Sequence, residues 1–430
     1  MKVGKLLTTP AARVLGLMSL RSMTIAAKFA LTLFITRYLG LAELGIYGII
    51  ISATAVAPVV FGFGVSNNLA REAAKRGPAD IAPAILQYFV VLAPIYGALC
   101  ALGLAMWPDR TTLVLLLLAL LLLEHVLSDM YSIMCVIGEG VSANIIYFVR
   151  FAGWSLPYIA LALFEPKLQN LTTIIALWVA GSAVAALMTV LFTRHWRWGD
   201  AVERLPRVRI SAPHRHGSMA LYVADVANVL FMYLDRYIVG LLLSPTLLGV
   251  YVLYWTITNA LSNLITIAVV QVERGALVKV AHRATQSFNR TLGKVCITTG
   301  GLALALGMAS TLMMYLVVPH LGRPAAEPYL PLMLVLVLGL ILRTIYEVIG
   351  ISFYAYGRDD IVLYSGVAIL ILALGLNVAL TPVIGVWGAG WTVVASYVAG
   401  TIGRGLVIMR GFRCAPGHGR GPTPDRKSVV

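Results

Sequence analysis

Apolar residues along this chain fall into twelve blocks, each near the length of about 20 residues that crosses a bilayer as a helix. The blocks run roughly over 15–36, 44–66, 82–107, 112–136, 143–164, 171–193, 217–241, 247–271, 295–318, 329–355, 361–383 and 388–409. Period-two alternation, which a membrane barrel requires, is absent. A bilayer interior cannot satisfy loose backbone groups, so the blocks are expected to be helices. The fold class is therefore all-α and integral to a membrane, with twelve transmembrane helices.

One stretch of the pattern is written twice. Tyr222 to Tyr254 carries an Asp235-Arg236-Tyr237 cluster, a turn at Ser244-Pro245, and a second apolar segment opening at Gly249-Val250-Tyr251. Near the start of the chain, Thr36-Arg37-Tyr38-Leu39-Gly40 is followed by Leu44-Gly45-Ile46-Tyr47, again between two apolar segments. The spacing predicts one unit used twice, with six spans in 1–193 and six in 217–409. A basic linker, 194–216, would join them, and a Gly-, Pro- and Arg-rich end, 410–430, would be disordered. Six spans per half means that both halves cross in the same orientation, as a parallel repeat.

Composition agrees with a membrane protein: 60% of residues are hydrophobic and 12% charged, where soluble domains carry about a quarter charged. A net charge of +15 would suggest nucleic acid in a soluble protein. Here anionic lipid headgroups and the positive-inside rule account for it, and no nucleic-acid partner is expected. With the first residues inside, the inside segments hold 23 Lys and Arg; the outside set is Arg37, Arg110, Lys167, Arg236 and Arg323. That bias predicts both termini in the cytoplasm. The first block lacks a small-residue cleavage site and reads as a retained span. Cys100, Cys135, Cys296 and Cys414 are scattered and form neither a disulfide framework nor a metal set.

Charges inside the spans narrow the function, because each costs about 3 kcal/mol at a span centre. Arg21, Thr24, Lys28 and Thr32 recur at three- and four-residue steps and make a polar stripe on span 1, although Arg21 could snorkel. Tyr222, Asp225, Asn228 and Asp235 form a similar stripe on span 7, with Asp235 and Arg236 expected at its outer edge as a local ion pair. Span 4 holds Glu124, His125, Asp129 and Ser132, and span 5 holds Arg150, for which Asp129 or Glu124 is the natural partner. Arg343 and Glu347, four apart in span 10, can neutralise one another, and Arg404 is close enough to the inside end to snorkel. Cavities lined by Arg and Lys suit an anion, and guanidinium planes suit phosphate. The candidate substrate-binding cations are thus Arg21, Lys28 and Arg150; the candidates for ion coupling are Asp225, Asp129 and Glu124.

Zinc-spaced His/Cys clusters, a phosphate-binding glycine loop and GxSxG are all missing, so neither enzyme chemistry, cofactor nor metal is expected. Asp359-Asp360 reads as a cap for span 11.

ITRYLGLAELGIYGIIISATAV after a basic-stippled first span, GFGVSNNLARE closing the second, and LDRYIVGLLLSPTLLGVYVLY resemble polysaccharide biosynthesis flippases. These are Wzx-type members of the multidrug/oligosaccharidyl-lipid/polysaccharide (MOP) exporter superfamily. The resemblance implies two six-helix bundles forming a V around a central cavity, with Arg21, Lys28 and Asp225 facing it. It implies an undecaprenyl-pyrophosphate-linked glycan as substrate and a bacterial inner membrane as location. Membrane lipids, a polysaccharide polymerase and a chain-length regulator would be partners. The multidrug/cation antiporters of the superfamily, also twelve-span, are the alternative.

Overall fold

A computed structural model describes residues 10–204, 216–266, 269, 277, 285–356 and 358–410. Residues 205–215 of the basic stretch and the tail from 411 lie outside the described residues. Every regular element described is helical. Among the described residues, ten helical segments are long and apolar enough to cross a membrane. The two expected spans missing from that set are 217–241 and 247–271. Both are nevertheless helices, His216–Leu242 and Pro245–Ile265, diluted by Asp225, Asp235 and Arg236 in one and by Thr and Asn in the other.

The chain separates into two compact units, 1–256 with 317–328, and 257–316 with 329–430. In the first, α1 (Pro10–Phe34) passes into a π-helical turn at Ile35–Leu39. There follow α2 (Leu41–Phe61), α3 (Val65–Arg76), α4 (Pro78–Met106) and α5 (Thr111–Val136). Next come α6 (Gly140–Phe148), a second π-helical turn (Val149–Gly153), α7 (Ser155–Phe164), α8 (Leu171–Phe192) and α9 (Trp198–Arg204). The unit is completed by α10 (His216–Leu242) and the first half of α11 (Pro245–Ile265).

The second apolar block was expected to run to 66, but the helix stops at Phe61. Phe63 and Gly64 take positive φ (49° and 67°), which ends the α-helical ladder. Beyond that break α3 is amphipathic: Leu69, Ala70 and Ala73 are buried, while Lys75 and Arg76 stay exposed and pair with Glu72. The opening of the basic stretch is folded too. Trp196 is wholly buried beside Trp198, and His195 Nε2 lies 2.7 Å from Glu139.

The duplicated motif explains how α2 and α11 meet. Their first turns lie backbone against backbone: a Cβ on Gly45 would stand 2.4 Å from the Pro245 carbonyl oxygen, and one on Gly249 1.8 Å from that of Leu41. Glycine is required at both places because no side chain fits. Asp235 and Arg236 depart from expectation. They are not an exposed pair at a helix edge but are buried inside the unit (4% and 1% exposed). Arg236 donates from Nη1 to Ser52 Oγ at 2.7 Å and lies over the Trp255 ring at 3.3 Å; Asp235 accepts from the Tyr251 hydroxyl and from the Arg236 amide. Packing against α2 and α11 draws both side chains inward, since water at the membrane edge is no longer the nearest polar partner.

The second unit holds α12 (Thr285–Val317), α13 (Leu332–Ala355), α14 (Asp359–Ile384) and α15 (Val386–Met409). The small residues of α15 serve close packing, as with Gly388, whose Cβ would lie 2.6 Å from the Leu380 backbone. Arg343 and Glu347 pair at 2.9 Å as their spacing predicts, with Asn259 and Thr266 satisfying the remaining atoms. Arg404 does not snorkel: it is 4% exposed, donates to the Tyr346 carbonyl and to Ser365, and stacks on Tyr346 in space left by Gly350. Asp360 accepts two hydrogen bonds from Arg358 at 2.9 Å, and that carboxylate pushes the Arg358 guanidinium above its ordinary value.

Candidate functional site

The three predicted cations converge on two aromatic rings. Tyr147 lies in the last turn of α6, and Phe151, four residues on, belongs to the π-helical turn, so both rings share one face. Arg21 lies over Tyr147 at 4.2 Å, Lys28 over Phe151 at 3.5 Å, and Arg150 over Phe151 at 4.7 Å. The rings offer each cation an attractive face at little desolvation cost. A π-helical turn adds one residue to the helix and redirects the side chains that follow, a feature concentrated at functional sites. Here it carries Arg150.

Only one of the three charges is matched by a carboxylate among the described residues. Arg150 forms a two-pronged ion pair with Glu124, Nε to Oε1 at 2.9 Å and Nη2 to Oε2 at 2.5 Å, and both residues are buried. Trp178 and Ser182 of α8 add donors to Glu124 Oε1 at 3.2 and 2.9 Å. Of the two partners left open for Arg150 by the sequence, the fold selects Glu124.

Arg21 and Lys28 are different. Arg21 donates from Nε to Asn144 Oδ1 at 2.7 Å and from Nη2 to the Tyr131 hydroxyl, both neutral acceptors. Neither cation has a carboxylate within ion-pair distance among the described residues, so their charge is solvated by dipoles and rings but not cancelled. Both are half-buried. The gap between Tyr131, Tyr147 and Arg150 is about 10 Å³, at the lower limit for one water, so the cluster is packed closed in this conformation.

The remaining candidates lie elsewhere in the same unit. Asp225 is exposed on α10 and accepts from Asn67 Nδ2 of α3 at 3.1 Å. Asp129 and His125 of α5 form a buried cluster with Tyr88 and Tyr96 of α4. Sequence reasoning missed Asn144, Tyr131, Phe151 and the two α4 tyrosines. The aromatic i,i+4 pair at 147 and 151 was the signal available for the first group; nothing local marks Tyr88 or Tyr96 as polar partners.

No family model matches the sequence, and no curated protein matches it. Solved structures do share its fold. A lipid II flippase MurJ in an inward closed conformation superposes with a TM-score of 0.67 at 14% identity, covering 91% of this chain and 87% of that one. An inward-facing multidrug resistance MATE family transporter of the MOP superfamily gives 0.59 at 12% identity, over 90% and 95% of the two chains. An outward-facing MATE family transporter of that superfamily gives 0.58 at 16%, over 95% and 98%. The chain is a multi-pass membrane protein with the twelve-helix fold of MOP-superfamily transporters.

Proposed function

We propose that the protein is an alternating-access flippase carrying an undecaprenyl-pyrophosphate-linked oligosaccharide from the cytoplasmic to the periplasmic leaflet for surface polysaccharide synthesis. The observation that carries this reading is the cation cluster around Tyr147 and Phe151, where three positive side chains meet one carboxylate. An uncancelled Arg and Lys held by neutral acceptors and rings form a site poised for a dianionic group. Guanidinium planes match phosphate oxygens, and an ammonium adds a compact charge. The aromatic rings offer sugar-stacking and cation-holding faces at once. Arg150, compensated by Glu124, lies over Phe151, the ring that also faces Lys28.

The test is transport in proteoliposomes loaded with the lipid-linked oligosaccharide, alongside rescue of a flippase-null strain. Lys28→Ala should abolish transport in a protein that still inserts and folds, and Lys28→Arg should keep part of it. Full rescue by Lys28→Ala at ordinary expression would sink the reading.

A second reading, a multidrug/cation antiporter, is favoured by the exposed carboxylate of Asp225, held by one hydrogen bond from Asn67. Gradient-driven uptake of a cationic dye, lost in Asp225→Asn, would support it; dye transport that is absent or unchanged in the variant would count against it.

A further inference from the structure

A second polar cluster, remote from the cations in role, sits inside the first unit. His125 of α5 is wholly buried, and both its ring nitrogens are engaged by tyrosines of α4: Nδ1 lies 2.8 Å from the Tyr96 hydroxyl and Nε2 2.9 Å from that of Tyr88. The Tyr88 hydroxyl also lies 2.8 Å from Asp129 Oδ2, and His125 Nε2 is 3.2 Å from the same oxygen.

Hydrogen counting narrows the arrangement. Tyr88 has one proton and gives it to Asp129, so the contact with Nε2 must use the imidazole's own N–H. A neutral imidazole then accepts at Nδ1 from Tyr96, and an imidazolium donates from Nδ1 to the Tyr96 oxygen. With the imidazole neutral and the carboxylate ionised, every contact is satisfied and the pair carries one net negative charge. No lysine or arginine is within ion-pair distance of Asp129 among the described residues. Of the ionisable groups on the elements packed against α5, Tyr88 and Tyr96 reach the imidazole. Glu43 and Tyr47 on α2, Arg71, Glu72, Lys75 and Arg76 on α3, Asp80 and Cys100 on α4, Asp109 and Arg110 in the turn before α5 and Tyr147 on α6 make no hydrogen bond to it among the described residues, Arg150 is taken by Glu124, and α8 has no ionisable side chain. Adding one proton to the His125–Asp129 pair makes it neutral overall.

The cluster also abuts the break between α2 and α3. A Cβ on Gly62 would stand 3.1 Å from the Tyr88 hydroxyl and 3.3 Å from His125 Nε2. Directly beyond Gly62 come the positive-φ residues Phe63 and Gly64, and the break is tied to α10 on both sides: the Tyr222 hydroxyl donates to the Val60 carbonyl at 2.8 Å, and Asn67 donates to Asp225.

We propose that His125 and Asp129, with Tyr88 and Tyr96, form a proton-binding site whose occupancy sets the geometry of the α2–α3 break. A proton on Nδ1 turns it into a donor, so the Tyr96 hydroxyl accepts from it and turns its own hydrogen to another acceptor; a proton on the Asp129 carboxyl releases Tyr88 from donating to it. Release of Tyr88 from Asp129 frees the hydroxyl that stands against Gly62, and the contacts of residues 60–67 with α10 move with it. The inference rests on the transporter reading only for its purpose; the proton itself is the ligand.

The test uses the full chain in lipid nanodiscs. Infrared difference spectra between about pH 8 and about pH 5, the range in which histidine titrates, report carboxyl and imidazole protonation. A spin label at Phe63→Cys, with the native cysteines replaced, reports the break. The expected result is a titrating band and a matching change in label mobility, both lost in His125→Gln and in Asp129→Asn. The aspartate variant is nearly isosteric and covers the case in which the histidine variant does not fold. A wild type without the band, variants that keep it, or a label that ignores pH overturns the proposal. Because neither readout uses substrate, failure to move a lipid-linked glycan would leave this result standing and remove only the flippase reading.

Discussion

At the scale of single residues, the ion pair between Arg150 and Glu124 separates structural charge from available charge. Each partner is buried, so removing one leaves the other uncompensated in a medium that solvates it poorly. Glu124→Gln is expected to cost about 3–5 kcal/mol, read as a lowered thermal unfolding midpoint in detergent. Combining it with Arg150→Met should recover much of the loss, because the stranded charge is gone; a double variant as damaged as the sum of the singles would contradict this. Lys28 has no such partner, so Lys28→Ala should leave the unfolding midpoint within about 1 kcal/mol of wild type while transport falls. The sequence made both residues visible through their cost inside a span. It could not tell them apart, since Asp129 and Glu124 were equally good partners for Arg150. The choice came from α8, whose Trp178 and Ser182 hold Glu124 in place.

At the scale of elements, two backbone features control the first unit. The first is the close approach of α2 and α11 through Gly45 and Gly249. Gly249→Ala places a methyl carbon 1.8 Å from the Leu41 carbonyl oxygen, so the helices must separate. A loss of about 1–3 kcal/mol or more is expected, with reduced yield of folded protein. Gly97 of α4 has open space around it, and Gly97→Ala should change stability by no more than about 0.5 kcal/mol. Equal effects at the two sites would show that the α2–α11 contact is not tight. The second feature is the break at 62–64, which the apolar pattern ran straight through. Hydropathy sees side chains, whereas the break depends on positive φ at Phe63 and Gly64.

At the scale of the whole molecule, the Lys and Arg census still favours one orientation after Arg236 moves from the outside set into the unit. The structure supplies well-placed probes for it. Lys167, in the short turn after α7, is exposed, and Asp200 on α9 is about half exposed. With the native cysteines replaced, Lys167→Cys should react with an impermeant reagent in intact cells, and Asp200→Cys only after the membrane is opened. The reverse pattern would invert the proposed topology. On the side expected to be outside, Arg37 donates to the His320 carbonyl and Arg323 to those of Thr36 and Arg37, so two distant turns meet as their assignment to one face requires. The division into halves at 194–216 stays a proposal, because the compact units part at 256 and 328.

By itself the sequence determined that this is a helical membrane protein with charges buried at a cost. Length, hydropathy and the penalty for unsatisfied backbone are properties of local composition, and a bilayer reads them directly. The twin glycine motif was likewise legible, because repetition is a one-dimensional fact. What only the tertiary structure decided is which charge meets which partner. Arg236 turned inward to Ser52 and Trp255, Arg404 to Tyr346, Asp225 to Asn67, and His125 to two tyrosines about 30 and 40 residues away in sequence. A buried polar group takes the nearest partner that satisfies it, and nearness in this fold is set by helix packing across long sequence separations.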